Sequence, residues 1–99
     1  MKPHLIYKQI GTVSELLPFS SEEKLKIKER ALDLSKQYIN SLEQDDERFP
    51  MDIVLSSIYL SSHESGRNVS HFEIAKITGN SLSSWPRIVI DMNKRINEK

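Results

Sequence analysis

The segment SHFEIAKITG, from Ser70 to Gly79, contains both a start signal and a stop signal for one helix. Ser70 and Glu73 form a capping box, in which each side chain satisfies a free backbone N–H of the other residue. Gly79 is the residue type that commonly ends helices, because glycine readily adopts the left-handed conformation. The segment therefore predicts one short helix with defined ends.

A second helix follows this one closely enough to form a helix–turn–helix. Ala75 is small where the two helices would cross, and Gly79 would supply the turn. We expect the second helix to begin near Ser83 or Ser84, with one apolar stripe formed by Trp85, Ile88, Val89, Met92 and Ile96. This spacing predicts a helix–turn–helix within residues 70–97, although two short helices around a glycine are also ordinary in helical bundles.

Two helices are predicted in the first half of the chain. The first spans roughly Lys2 to Leu17, with a break at Gly11. The second begins at another capping box, Ser20 with Glu23, and runs to about Leu42, where the acidic loop 43–47 ends it. The first helix is predicted from apolar residues at helical spacing, namely Leu5, Ile6, Ile10, Val13 and Leu16.

A third predicted helix, opened by Pro50, occupies the middle of the sequence. Proline is tolerated in the first turn, where its missing N–H has no partner to lose, and Asp52 favours the same end through the helix dipole. From Ile53 to Ser62 apolar residues are interspersed with serines, which indicates a central helix that several neighbours approach closely, and residues 63–68 form a loop. The chain is therefore predicted to be all-α, a five-helix orthogonal bundle forming one domain over residues 1–99.

Composition excludes several classes of function. The 99 residues contain no cysteine, which rules out disulfides, cysteine-ligated zinc and thiol catalysis. His4, His63 and His71 are too scattered for a metal triad, and no serine stands in a nucleophile-elbow context. We expect no enzyme activity, no metal and no cofactor. No apolar run is long enough to span a membrane, and the net charge of zero gives no bulk attraction for nucleic acid.

The stretch from Pro50 to Ile96 resembles the second cyclin-like repeat of transcription factor IIB and of its archaeal counterpart, transcription factor B. The resemblance is strongest in EIAKITG, Glu73 to Gly79, and includes IYLSS, Ile58 to Ser62, and Gly66-Arg67. Upstream, Pro3 and Tyr7, followed by Leu17 and by SSEEKLKIKERAL, Ser20 to Leu32, look like the first two helices of the same repeat, so the resemblance covers nearly the whole chain. The resemblance implies a cyclin-like fold with a C-terminal helix–turn–helix.

The resemblance also implies that the last two helices contact promoter DNA. The basic residue that this family usually has early in its recognition helix aligns with Pro86 here, and Arg87 is one place later. We expect the base-reading face to consist of Ser81, Ser83, Ser84 and Arg87, since Arg and Ser can contact bases or phosphates. Backbone contacts are expected from Arg67, His71, Lys76, Lys94 and Arg95, and Asp91 is expected to point outward.

The resulting hypothesis is a DNA-binding transcription module that acts in promoter recognition or its regulation. Its expected partners are double-stranded promoter DNA and, through the resemblance, TATA-binding protein or RNA polymerase, with no membrane. The expected location is the cytoplasm, with association to the nucleoid in an archaeon and a nuclear location in a eukaryote. The alternative is a cyclin-like platform for protein–protein interaction without nucleic-acid contact, which the neutral net charge also fits.

Overall fold

The computed structural model describes residues 3–42, 50–79 and 85–97. These ranges contain no strand, so the prediction of an all-helical chain is confirmed for them. The predicted acidic loop 43–47 lies outside the described residues. The described residues form five helices: α1 Pro3–Ser14, α2 Ser21–Ser41, α3 Pro50–Glu64, α4 His71–Thr78 and α5 Trp85–Asn97.

Helix α1 is continuous, so the predicted break at Gly11 is wrong. Glycine within a helix costs only about 1 kcal/mol relative to alanine, and complete burial of Ile6 and Ile10 outweighs that cost. Two leucines of the apolar spacing that predicts this helix are exposed, Leu5 by 44% and Leu16 by 51%. Leu16 follows the last residue of α1, so the helical spacing that suggested its burial no longer applies there.

Helix α2 begins where the sequence predicts. The side chain of Ser20 accepts a hydrogen bond from the backbone N–H of Glu23 at 3.3 Å, as a capping box requires. In a full capping box the Glu23 side chain would bond to the backbone N–H of Ser20. Here its carboxylate pairs with Arg67, in the segment that precedes α4. One stripe of α2 faces the core and consists of Ile27, Ala31, Leu34, Ser35 and Tyr38.

Helix α3 is the central helix, as predicted, and packs against all four others. Its buried serines donate to carbonyls one turn earlier in the same helix, for example Ser57 Oγ to Ile53 O at 2.7 Å and Ser61 Oγ to Ser57 O at 2.6 Å. This local bonding gives each of these hydroxyls an acceptor within its own helix. Small side chains therefore let neighbouring helices approach α3 without leaving buried hydroxyls unpaired.

The two C-terminal helices both pack on this centre. Helix α4 packs against α3, whereas α5 packs against α3 and α2. Ser56 Oγ of α3 donates to the backbone carbonyl of Trp85 at 3.1 Å, which attaches the start of α5 to the centre. In the described ranges no helix is long and apolar enough to cross a membrane.

Candidate nucleic-acid interface

Both ends of α4 are set by local hydrogen bonds, as predicted. The Ser70 side chain accepts from the backbone N–H of Glu73 at 3.1 Å. Gly79 adopts a left-handed φ of 71°, and its N–H donates to the carbonyl of Ala75. Because Ile74 and Ala75 are buried, the helix turns the opposite face outward, with Phe72, Glu73 and Lys76 exposed.

The orientation of α5 follows from its buried stripe. Trp85 begins the helix with only 1% of its surface exposed, and Pro86 lies in the first turn, where no intrahelical N–H bond is lost. Because the helix begins at Trp85, Pro86 does not interrupt it with a kink. The buried residues are those that the apolar spacing predicts, Trp85, Ile88, Val89 and Met92, with Ile96 half-buried.

The outer face of α5 is defined by its exposed residues. Ile90, at 71% exposure, lies near the middle of this face. The Asn97 amide donates to Asn93 Oδ1 at 2.7 Å, so the two amides form one polar strip. The face comprises Arg87, Ile90, Asn93, Lys94 and Asn97, which recur at intervals of three and four residues.

This outer face has positive charge without an exposed carboxylate on the described part of α5. Asp91, the acidic residue within that range, is half-buried and accepts a hydrogen bond from Tyr38 Oη of α2 at 2.6 Å. It also pairs with Arg95 at 3.0 Å. The expectation that Asp91 points outward is therefore wrong, because Tyr38 and Arg95 draw its carboxylate toward α2.

Three predicted contact residues remain free of ion pairs. Arg87 and Lys94 lie on the outer face of α5, and Lys76 is exposed on α4. None of the three forms an ion pair with a described residue. They are cations that a phosphate could approach without first breaking a bond within the protein.

Two other predicted contact residues are bound to α2. Arg95 donates to Asp91 and to the Ser41 carbonyl at 2.9 Å, and its guanidinium lies 5.9 Å from the centre of the Tyr38 ring. Arg67 pairs with Glu23. Glu23 and Ser41 lie near opposite ends of α2, about 27 Å apart along its axis at 1.5 Å per residue. Arg67 and Arg95 are therefore not gathered on one face, and a role in DNA contact stays a prediction for both.

His71 belongs to a ring cluster, formed by Tyr59, His63, His71 and Trp85. The His71 ring stacks on Tyr59 with centroids 4.1 Å apart and an interplanar angle of 17°. It also contacts Trp85, with centroids 4.9 Å apart. Burial lowers the pKa of His71, and the nearby His63 lowers it further. These contacts hold His71 largely neutral near pH 7, which weakens its predicted role as a phosphate contact.

Three predicted base-reading residues, Ser81, Ser83 and Ser84, lie outside the described residues. The exposed face instead adds Ile90, Asn93 and Asn97, which the sequence analysis did not select. Counting three or four residues forward from Arg87 reaches Ile90, Lys94 and Asn97, so the helical period contained the signal. The sequence prediction considered serine and basic residues only, and therefore omitted the two amides and Ile90.

Metal-ligating side chains do not gather in the described ranges. No three histidine or acidic side chains there come together in a way that could hold a metal ion. His63 Nε2 lies 3.2 Å from the carbonyl of Val69, which gives that ring a partner within the protein.

Comparison with models of known protein families, with curated proteins and with solved structures finds no match. The resemblance to a transcription factor B repeat therefore stays a prediction from the quoted residues.

Proposed function

We propose that this protein binds duplex DNA through the outer face of α5 and acts as a transcription module in promoter recognition or its regulation. The observation that carries the proposal is the charge on that face. It presents Arg87 and Lys94 without ion-pair partners among the described residues, while Asp91 is turned toward α2. On α2, by contrast, basic and acidic side chains alternate along the exposed surface.

The chemistry of this face fits the major groove. Arg87 and Lys94 are separated by two helical turns, about 10 Å along the axis, and could contact phosphates or base edges on either side of a groove. Asparagine amides on the same face can bond to adenine, and an apolar side chain such as Ile90 can contact a thymine methyl group. The groove is wide enough to admit an α-helix.

The finer parts of the proposal come from the family resemblance. The Glu73 to Gly79 segment, with both helix ends formed as in a helix–turn–helix, supports a cyclin-like arrangement. A module of this kind would bind beside TATA-binding protein or RNA polymerase at a promoter. It would be found with the nucleoid of an archaeon or in a eukaryotic nucleus.

Protein binding without DNA is the second candidate, and one observation favours it. Phe72 of α4 and Ile90 of α5 are 75% and 71% exposed, the highest values among the large apolar residues described. Exposed apolar residues beside charged ones are common where another protein docks. Lack of DNA binding together with capture of a transcription protein would favour this alternative.

A salt titration of DNA binding tests the proposal. Binding to a labelled promoter duplex and to a random duplex, followed by fluorescence anisotropy, should weaken as salt rises. Three to five neutralised phosphates predict a log–log slope of about −3 to −5. Replacing Arg87 and Lys94 together by alanine should reduce the slope by about two.

The matched control removes the same charge elsewhere. Lys8→Ala on α1 with Lys36→Ala on α2 changes two exposed lysines that do not belong to the outer face of α5, and should leave the slope near the wild-type value. Equal losses in both double variants would show nonspecific attraction and contradict the α5 assignment. No binding at low salt, alone or with TATA-binding protein present, would refute DNA binding.

A further inference from the structure

The ring cluster joins three helices at one point. Tyr59 and His63 come from α3, His71 is the first residue of α4, and Trp85 is the first residue of α5. Tyr59 contacts both histidines, with centroids 4.3 Å from His63 and 4.1 Å from His71. The rings therefore attach the starts of α4 and α5 to the central helix.

Two nitrogens in this cluster are buried without a hydrogen-bond partner. They are His71 Nε2 and the indole Nε1 of Trp85. The indole nitrogen always carries a hydrogen, so the contact between these rings already contains one unpaired donor. Protonation of His71 would make its Nε2 a second unpaired donor and would add a positive charge.

The described residues around His71 place no carboxylate against that charge. A cavity of about 270 Å³ beside the cluster is lined by Tyr59, His63, Asn68, Val69, Ser70 and His71, none of which has a carboxylate. The charged residues of α4 itself, Glu73 and Lys76, are exposed, and α5 contributes the uncharged Trp85. Residues 80–84 include no ionisable side chain. Among the described residues the ionisable neighbours are therefore Tyr59 and His63, and neither of them is a carboxylate.

We propose that the ring cluster is a proton-sensitive joint, in which protonation of His71 weakens the attachment of α4 and α5 to α3. When His71 is neutral, its ring stacks on Tyr59 and contacts Trp85, and these contacts hold α4 and α5 against α3. Acidification places an unpaired cation in this half-buried contact, beside the buried Trp85 ring and close to the His63 imidazole.

The direction of the pH effect follows from linkage. In the unfolded chain His71 takes up a proton near its ordinary pKa of about 6.5, whereas burial and His63 lower its pKa in the folded protein. Between these two pKa values the unfolded state binds more protons. The free energy of unfolding should therefore fall as the pH drops below about 6.5. Above that pH the contribution of the neutral His71 ring to stability should be complete.

The single tryptophan makes the joint directly observable. A protonated imidazole quenches indole fluorescence, and His71 is in ring contact with Trp85. Trp85 emission, recorded from pH 8 to pH 4.5 on the full chain, should fall in a transition whose midpoint lies below 6.5. His71→Phe keeps an aromatic ring in the stack and should abolish this transition.

Two further variants serve as controls. His63→Gln removes the neighbouring charge and should raise the midpoint, whereas His4→Gln on the exposed side of α1 should leave it unchanged. A transition that persists in His71→Phe, or a wild-type midpoint at or above 6.5, would overturn the proposal.

Where a His71 variant fails to fold, an NMR titration of the wild-type imidazole provides the same midpoint. A His71 pKa at or above 6.5 in that titration would also overturn the proposal. None of these measurements contains DNA, so failure of the proposed DNA binding leaves their outcome unaffected.

Discussion

Truncation of Trp85 is the most informative perturbation of the C-terminal half. The side chain is 99% buried where α5 begins and contacts both His71 and Tyr59. A tryptophan buries about 150–250 Å², which at about 25 cal/mol per Å² corresponds to about 4–6 kcal/mol as an upper bound. Measured truncations of buried aromatic residues to alanine typically cost about 3–5 kcal/mol.

The unpaired indole N–H moves the expected cost toward the lower end of that range. Trp85→Ala removes a buried donor that has no acceptor, and such a donor costs about 1–3 kcal/mol in the folded protein. We therefore expect a loss of about 3 kcal/mol. Trp85→Phe keeps most of the apolar contact and removes the same donor, so its loss should stay below about 1.5 kcal/mol.

Urea unfolding followed by far-UV circular dichroism measures both losses, because it does not depend on tryptophan emission. Ile90→Ala is the matched control on the same helix, and its 71% exposure predicts a change within about 0.5 kcal/mol. If Trp85→Ala and Ile90→Ala cost the same, Trp85 is not a buried anchor and the orientation of α5 is wrong.

Three more changes test separate features. Tyr38→Phe removes the hydrogen bond to Asp91 and should cost about 1.5–3 kcal/mol in the same unfolding assay; a neutral result would contradict the pairing that turns Asp91 inward. Gly79→Ala should cost about 1–2 kcal/mol because φ is 71°. Gly11→Ala should stabilise α1 by about 0.5–1 kcal/mol, since its Cβ would meet only the end of the Lys28 side chain, with Cε at 3.7 Å. A change of the same sign in both variants would contradict a left-handed Gly79 and a helical Gly11. Arg87→Ala alone should lower the salt slope of DNA binding by about one and weaken all duplexes alike if it contacts phosphate, whereas loss at one base position would show base contact.

Exposure of individual leucines shows where sequence patterns were insufficient. Helical spacing placed Leu5, Leu16 and Leu25 among the apolar residues of α1 and α2, yet each is more than two-fifths exposed. A stripe of apolar residues is wider than the surface that neighbouring helices cover. Which edge of the stripe stays in water depends on the angle at which neighbouring helices cross, and the sequence of a single helix does not specify that angle.

The candidate DNA-binding face was predicted in part. Arg87, Lys94 and Lys76 are exposed and unpaired with any described residue, as a contact residue should be. The amides of Asn93 and Asn97 were missed, although each lies three residues after another member of the face, Ile90 and Lys94 respectively. The selection by residue type was too narrow, since amides read bases as well as arginine does.

The sequence by itself determined the start of α2 and both ends of α4. Ser20, Ser70 and Gly79 act through hydrogen bonds to residues three or four positions away, and such local bonds form wherever the segment becomes helical. The phase of α5 was equally local, because its apolar residues recur with the helical period.

Only the tertiary structure decided which charged groups are available. The pairs Tyr38–Asp91 and Arg67–Glu23 join residues 53 and 44 positions apart, and neither pairing can be read from its neighbours in sequence. The same is true of His71, whose proton affinity depends on rings that α3 and α5 bring to it. Charge and proton binding depend on distance in space and on burial, and both are established only when the helices pack together.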